Sequence, residues 1–144
     1  MDYLHNEIAK HHLTERVEFH GRVSDQDLLD LYARSLAVYY APHDEDYGYV
    51  TLEAMASSKP VVTAHDSGGV LEFVTHEQQG LVVEPTTDCI GHAVNRLVEN
   101  REYAAQLGKN GRAFIDSAKM LESGWDQIIS SLLSPLSESQ QVAA

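Results

Sequence analysis

Hydrophobic and polar positions along this chain form two kinds of segment. Short runs that are apolar almost throughout are typical of strands buried on both faces, and they are LAVYYAP and PVVTAH. GLVVEP is predicted to form another strand. A further strand is predicted over RVEFHG, which ends at Gly21. Between the strands, apolar residues recur at helical spacing. The predicted helices cover residues 2–13, 24–35, 48–58, 70–76, 88–99, 101–118 and 121–133, and the polar tail 134–144 is predicted to be disordered.

Two residues mark helix boundaries in this pattern. Ser24 has Asp27 three positions later, which is typical of a helix N-cap. Pro60 disfavours helical backbone at the preceding residue, so it separates the helix over 48–58 from the strand PVVTAH.

The alternation of strands with helices predicts an α/β fold. Short βαβ units build a parallel sheet with helices on both faces. Ligands of such sheets bind outside the carboxyl ends of the strands. The loops HGRVSD, PHDEDYGY and HDSGG each follow a predicted strand, so we expect all three to line one crevice.

The segment HDEDYGYVTLEAM carries the most suggestive chemistry. Gly48 lets the chain turn, which leaves Glu45 in a loop and Glu53 about one and a half turns into the following helix. The amides of Gly48, Tyr49 and Val50 lie between the two acids, at the helix N-terminus. Free amides and the helix dipole at such an end attract phosphate oxygens.

Carboxylates on either side of a phosphate site suit a nucleotide sugar. Sugar hydroxyls donate strong hydrogen bonds to carboxylates. The alternative is that the acids at 44–46 only cap the helix and that Glu53 is solvated. The spacing alone leaves both interpretations open.

Composition narrows the possible partners and the compartment. The 144 residues suit one domain, with 10 Lys and Arg against 22 Asp and Glu and a formal charge of −12. This acidity disfavours nucleic acid and anionic membrane surfaces. Cys89 is the sole cysteine, which excludes an intrachain disulfide and fits the cytoplasm. No signal peptide and no apolar run long enough for a membrane span are visible.

The stretch EDYGYVTLEAM resembles the acidic signature of retaining glycosyltransferases of family four, which have the GT-B fold. Flanking blocks resemble the same family in the same order: RVEFHGRVSDQDLLDLYARS, KPVV, DSGGVLEFV, GLVVEP and GWDQII. The resemblance implies that residues 1–133 form a Rossmann-like, nucleotide-sugar-binding domain. It corresponds to an incomplete GT-B C-terminal domain.

The resemblance also implies roles for individual residues. Glu45 would contact hydroxyls of the donor sugar and steady the positive charge that develops at its anomeric carbon, while Glu53 would bind the ribose. The reaction would be hexosyl transfer with retention, with no metal and no cofactor beyond the nucleotide-sugar substrate. The implied donor-binding residues are Gly21, Arg22, Val23, Tyr47, Gly48, Tyr49, Val50 and Glu53.

The chain departs from the family in length. By this resemblance, we expect the given sequence to lack the N-terminal acceptor domain, and also the first strands of the donor domain with the cations that neutralise the diphosphate. We therefore expect the chain alone to be inactive and to bind nucleotide sugars weakly, with the acceptor domain as its natural partner. The alternative is a non-catalytic module that binds nucleotide weakly or self-associates as a homodimer. The apolar stripe over residues 125–133 and the exposed sheet edges favour such self-association.

Other candidate groups remain less specific. His20, His43 and His65 each end or follow a predicted strand, but no His-x3-His spacing supports a metal site, and loop histidines beside a cleft explain them equally. The turn from Asp66 to Gly69 could offer its amides to a ligand or be only a tight turn. Both interpretations stay open.

Overall fold

The computed structural model describes residues 2–117, so the predictions for residues 118–144 lie outside the described residues. The helices are α1 (Asp2–Lys10), α2 (Asp25–Arg34), α3 (Tyr49–Ala56), α4 (Thr87–Glu99) and α5 (Arg101–Asp116), and a 3-10 helix covers Gly68–Glu72. The strands are β1 (Val38–Tyr39), β2 (Val61–Ala64) and β3 (Gly80–Val83). The chain divides into two units, Met1–Leu31 and Tyr32–Ala144, which are described separately.

In the first unit, α1 ends earlier than predicted, at Lys10. His12 adopts a left-handed backbone with φ of 55°. The amide of His12 donates to Ala9 O and that of Leu13 donates to Ile8 O, at 3.1 and 2.9 Å. These are the two bonds of a Schellman motif, which terminates the helix.

The predicted strand over RVEFHG is wrong. Residues 17–21 form no strand, and the amides of Arg16 and Val17 both donate to Leu13 O in a turn. The side chains of Val17 and Phe19 are 38% and 41% exposed. A strand needs a neighbouring strand to bind its backbone groups, and none pairs with this segment among residues 2–117.

The N-terminus of α2 confirms the predicted cap. Ser24 Oγ accepts from Asp27 N at 3.2 Å and donates to Asp27 Oδ2 at 2.6 Å. The cap and the first-turn acid therefore satisfy each other.

The second unit contains a parallel three-stranded sheet with the order β1-β2-β3. Val61 pairs with Val38 on one side and with Gly80 on the other. All four residues of β2 are buried, as predicted. β1 is shorter than predicted, and its burial on both faces is wrong, since Tyr39 is 55% exposed. β1 is an end strand that pairs only with β2 among the described residues, so fewer elements cover it.

Helices cover both faces of the sheet, which confirms the predicted α/β architecture. Alternate strand residues point to opposite faces. One core cluster contains Val61 and Val82 with Ala54, Met55, Val70, Phe73 and Val74. The other contains Val62 and Leu81 with Ala93, Leu97, Ala104 and Leu107.

The helix α3 lies close to its predicted position and begins after Gly48. Ser58, with φ of 57°, ends it in the left-handed region, and the amides of Ser58 and Lys59 donate back to Met55 O and Ala54 O. Lys59 Nζ then donates to Ala33 O and Ser35 O, both at 2.9 Å, at the end of α2. Helix α3 is thereby tied to the chain segment that leads into β1.

The described part of the chain contains no helix with the length and apolar character needed to cross a membrane.

Candidate functional site

The acidic loop between β1 and α3 is tied to the turn that follows β2. Asp44 N donates to Asp66 O at 2.8 Å, and Gly69 N donates to Glu45 O at 2.6 Å. A Cβ on Gly69 would lie 2.2 Å from Asp46 O, so only glycine permits this approach. The loops PHDEDYGY and HDSGG, predicted to line one crevice, are therefore in direct contact.

The turn after β2 uses its own polar groups for structure. Ser67 N donates to Ala64 O at 3.2 Å, and Ser67 Oγ accepts from Thr63 Oγ1 at 2.9 Å. With Gly69 N bound to Glu45 O, these contacts favour the tight-turn interpretation over a ligand-binding one.

Gly48 precedes the first residue of α3 and lets the chain turn from the acidic loop into the helix. Its φ of 73° is left-handed, and a Cβ there would lie 2.6 Å from Val70 Cγ2. Thr51 N donates to Gly48 O, but the amides of residues 48–50 have no acceptor within residues 2–117. The helix therefore presents free N–H groups where its dipole favours anions.

These amides share a cavity with one of the two predicted acids. The cavity has a volume of about 360 Å³ and is lined by Tyr40, Glu45, Asp46, Tyr47, Gly48, Tyr49 and Val50. Glu53 is an exposed residue of α3 outside this lining. The cavity can hold an anionic group on the amides beside a carboxylate that accepts hydroxyls.

Each predicted acid accepts a hydrogen bond from a tyrosine. Tyr40 Oη donates to Glu45 Oε2 and Tyr32 Oη donates to Glu53 Oε2, both at 2.9 Å. The hydrogen bond to Glu45 is the main cause that raises the pKa of the Tyr40 phenol. Burial, followed by the bond to Glu53, raises the pKa of Tyr32 well above its ordinary value. Sequence reasoning missed both tyrosines, and the only signal was the position of Tyr40 at the carboxyl end of LAVYY.

Gly21, Arg22 and Val23 belong to the first unit. Gly21 and Arg22 are exposed, and Gly21 has a left-handed φ of 60°. Their place beside the base of a donor stays a prediction.

The three histidines considered as site residues each lie near a carboxylate. His20 Nε2 is 3.5 Å from Glu18 Oε2, and His43 Nδ1 is 3.4 Å from Asp66 Oδ2. His65 Nε2 is 3.9 Å from Glu84 Oε1. Across residues 2–117, no three His, Cys, Asp or Glu side chains are grouped as ligands of one metal ion.

The fold and the cavity define a Rossmann-like α/β domain with a candidate site at the carboxyl ends of β1 and β2. The family model of the group 1 glycosyl transferases matches residues 1–114, and the chain belongs to this family. The predicted glycosyltransferase membership is thereby confirmed.

Curated relatives include two mannosyltransferases. The alpha-1,3/1,6-mannosyltransferase ALG2 of Homo sapiens is 30% identical over 121 residues, which cover 84% of this chain and 29% of that protein. The GDP-mannose-dependent alpha-(1-6)-phosphatidylinositol monomannoside mannosyltransferase of Mycobacterium tuberculosis is 32% identical over 128 residues, with coverage of 83% and 32%.

Solved structures confirm the GT-B relationship. HepE of Anabaena in complex with UDP-glucose superposes with a TM-score of 0.79 at 28% identity, over 92% of this chain and 36% of HepE. The chain thus spans about a third of the length of these three proteins.

Proposed function

We propose that this chain is the donor-binding part of a retaining hexosyltransferase, whose donor is a nucleotide sugar. The observation that carries the proposal is the cavity in which Glu45 lies beside the amides of residues 48–50, which have no acceptor in the described part of the chain. The names of the relatives support it, since one is GDP-mannose-dependent and another is solved with UDP-glucose.

In this proposal the donor's diphosphate binds at the N-terminus of α3. The amides of Gly48, Tyr49 and Val50 donate to its oxygens, and the helix dipole stabilises the negative charge that grows on the leaving phosphate. Side-chain cations and a metal are not required for this contribution, because the donors belong to the backbone.

Glu45 acts at the sugar end of the donor. Its carboxylate accepts the sugar hydroxyls and stabilises the positive charge at the anomeric carbon while the bond to the leaving phosphate breaks. The sugar passes to an acceptor hydroxyl on the same face, so the configuration is retained, and the nucleoside diphosphate leaves. Glu53 binds the ribose at the nucleoside end of the donor.

The acceptor is bound by a partner domain that contributes the rest of the active site. The chain spans about a third of its relatives, and an active transferase needs a surface that orients the acceptor beside the anomeric carbon. We therefore propose that the 144-residue chain binds donor weakly and transfers no sugar alone.

Titration calorimetry with UDP-glucose, GDP-mannose, UDP and GDP tests the proposal. We expect the ligands of one base, uridine or guanosine, to bind. Glu53→Ala should weaken that binding by about 10- to 100-fold, as loss of a charge-assisted hydrogen bond implies. Glu99→Ala is the matched control, because Glu99 is an exposed acid at the end of α4.

Two results would contradict the proposal. The first is tight binding that Glu53→Ala leaves unchanged. The second is no binding of any nucleotide by a chain that forms a homodimer in analytical ultracentrifugation, which would favour the alternative of a non-catalytic, self-associating module.

A further inference from the structure

Both candidate acids are bound by phenols that come from other elements. Glu45 lies in the acidic loop, whereas Tyr40 directly follows β1. Glu53 lies in α3, whereas Tyr32 lies near the end of α2, 21 positions earlier in the chain. The same hydrogen bond therefore occurs at two places in the fold, and in each a tyrosine hydroxyl donates to the Oε2 atom of a glutamate.

A phenol holds a carboxylate without cancelling its charge. The ordinary phenol pKa of about 10 keeps the proton on tyrosine at neutral pH, so each tyrosine is a neutral donor. Three cations form ion pairs with other acids: Lys10 with Glu7, Arg96 with Glu77 and Arg112 with Asp116. Glu45 and Glu53 keep the negative charge that strengthens a bond from a ligand hydroxyl.

The tyrosines are better anchored than the acids they hold. Tyr32 is only 9% exposed and belongs to the core cluster with Met55 and Val61, whereas Glu53 is exposed. Tyr40 packs against the same cluster and also lines the cavity. A flexible glutamate bound to a fixed ring loses fewer rotamers when a ligand arrives.

We propose that Tyr40 and Tyr32 are positioning residues that orient Glu45 and Glu53 for the two ends of the donor. Each phenol donates to Oε2 of its glutamate, so that Oε1 can accept hydroxyls of the ligand. The hydroxyls belong to the sugar at Glu45 and to the ribose at Glu53. This inference rests on the proposed function. The raised phenol pKa values agree with the pairing.

Because the two pairs serve different ends of the donor, their loss has different effects. Calorimetry with a nucleotide sugar and with its nucleoside diphosphate separates them. We expect Tyr40→Phe to weaken nucleotide-sugar binding by about 3- to 10-fold, the range of one hydrogen bond, and to leave the diphosphate unchanged. Tyr32→Phe should weaken both ligands by similar factors. Tyr39→Phe is the control, because Tyr39 is an exposed neighbour outside the cavity lining.

A ligand-free measurement tests the pairs themselves. In protein labelled with ¹³C at tyrosine Cζ, NMR titration should show the Tyr40 phenol ionising at lower pH in Glu45→Gln than in the wild type. The Tyr32 phenol should respond in the same way to Glu53→Gln. This measurement does not depend on whether Tyr32→Phe folds. A phenol that ionises at the same pH in the wild type and in the Gln variant would overturn the pairing.

The outcomes also separate this inference from the proposed function. If the wild type binds a nucleotide sugar and both Phe variants bind it equally well, the positioning role is refuted and the donor site stands. If the wild type binds no nucleotide, the proposed function fails, and the positioning of a donor fails with it. If Tyr40→Phe weakens binding of the nucleotide sugar and of the nucleoside diphosphate by the same factor, the assignment of Glu45 to the sugar end is refuted.

Discussion

At the scale of single residues, Thr51 Oγ1 and Tyr103 Oη are buried polar atoms that have no hydrogen-bond partner within residues 2–117, and Thr51 is the one beside the candidate site. It is fully buried in the first turn of α3, and its Oγ1 has no hydrogen-bond partner within residues 2–117. A buried hydroxyl that lost its water contacts without a replacement destabilises the protein by about 1–3 kcal/mol. The first turn of α3, which borders the proposed phosphate site, therefore contains a polar atom whose burial lowers the stability of the fold.

We expect Thr51→Val to raise the free energy of unfolding by about 1 kcal/mol, because the swap removes the hydroxyl and keeps the shape. Urea denaturation followed by circular dichroism measures the change. Thr51→Ser is the matched control, since it keeps the hydroxyl and loses a buried methyl, and it should lower stability. A less stable Thr51→Val protein would show that the hydroxyl has a stabilising partner.

At the scale of elements, two loops that follow β1 and β2 hold Glu45 in place beside the N-terminus of α3. The acidic loop and the turn after β2 are joined by Asp44 N to Asp66 O and by Gly69 N to Glu45 O. The contact depends on the missing side chain of Gly69, which lets the turn reach the backbone of Asp46. The position of Glu45 is therefore set by a segment more than 20 residues further along the chain.

Gly69→Ala should destabilise the protein by about 1–3 kcal/mol, because its Cβ would meet Asp46 O at 2.2 Å and force the two connections apart. It should also weaken nucleotide-sugar binding by displacing Glu45. Thermal unfolding and calorimetry on the same variant measure both effects.

Gly91→Ala is the control, because Gly91 lies inside α4 with nothing within 4 Å of the added Cβ. It should stabilise the protein by about 0.5–1 kcal/mol through helix propensity. Equal stability of the two alanine variants would show that the contact between loop and turn is dispensable.

At the scale of the whole molecule, the net charge opposes the proposed ligand. The chain carries −12, and Asp44, Glu45 and Asp46 add local negative charge beside the amides of α3. A nucleotide sugar is itself an anion, so its attraction to the α3 amides must exceed a repulsion from the rest of the protein. Salt screens that longer-range repulsion more than it screens hydrogen bonds at contact distance.

Raising the ionic strength from about 20 to about 300 mM should therefore strengthen nucleotide-sugar binding by about twofold, as the Debye length shrinks. Calorimetry at matched pH measures the affinity, with an uncharged nucleoside as the control that salt should barely affect. Affinity that falls with salt would instead indicate cationic side chains at the phosphate site.

Much of the fold could be predicted from local pattern. The buried strands β2 and β3 followed from their apolar runs, the start of α2 from Ser24, and the start of α3 from Gly48. RVEFHG has the same kind of pattern and forms no strand, while β1 is shorter and more exposed than its run predicts. A strand forms by hydrogen bonding to an adjacent strand, and the pattern of apolar residues does not show whether such a strand is present.

The sequence by itself determined the family and the α/β alternation, and it pointed to Glu45, Glu53 and the amides at the start of α3 as candidates, because these depend on residue type and on spacing along the chain. Only the tertiary structure decided that Glu45 shares a cavity with the α3 amides while Glu53 lies outside it. It alone also decided which tyrosines bind the two acids and that Gly69 ties down the acidic loop. The physical reason is that these contacts join backbone and side-chain groups whose partners are chosen by packing in three dimensions.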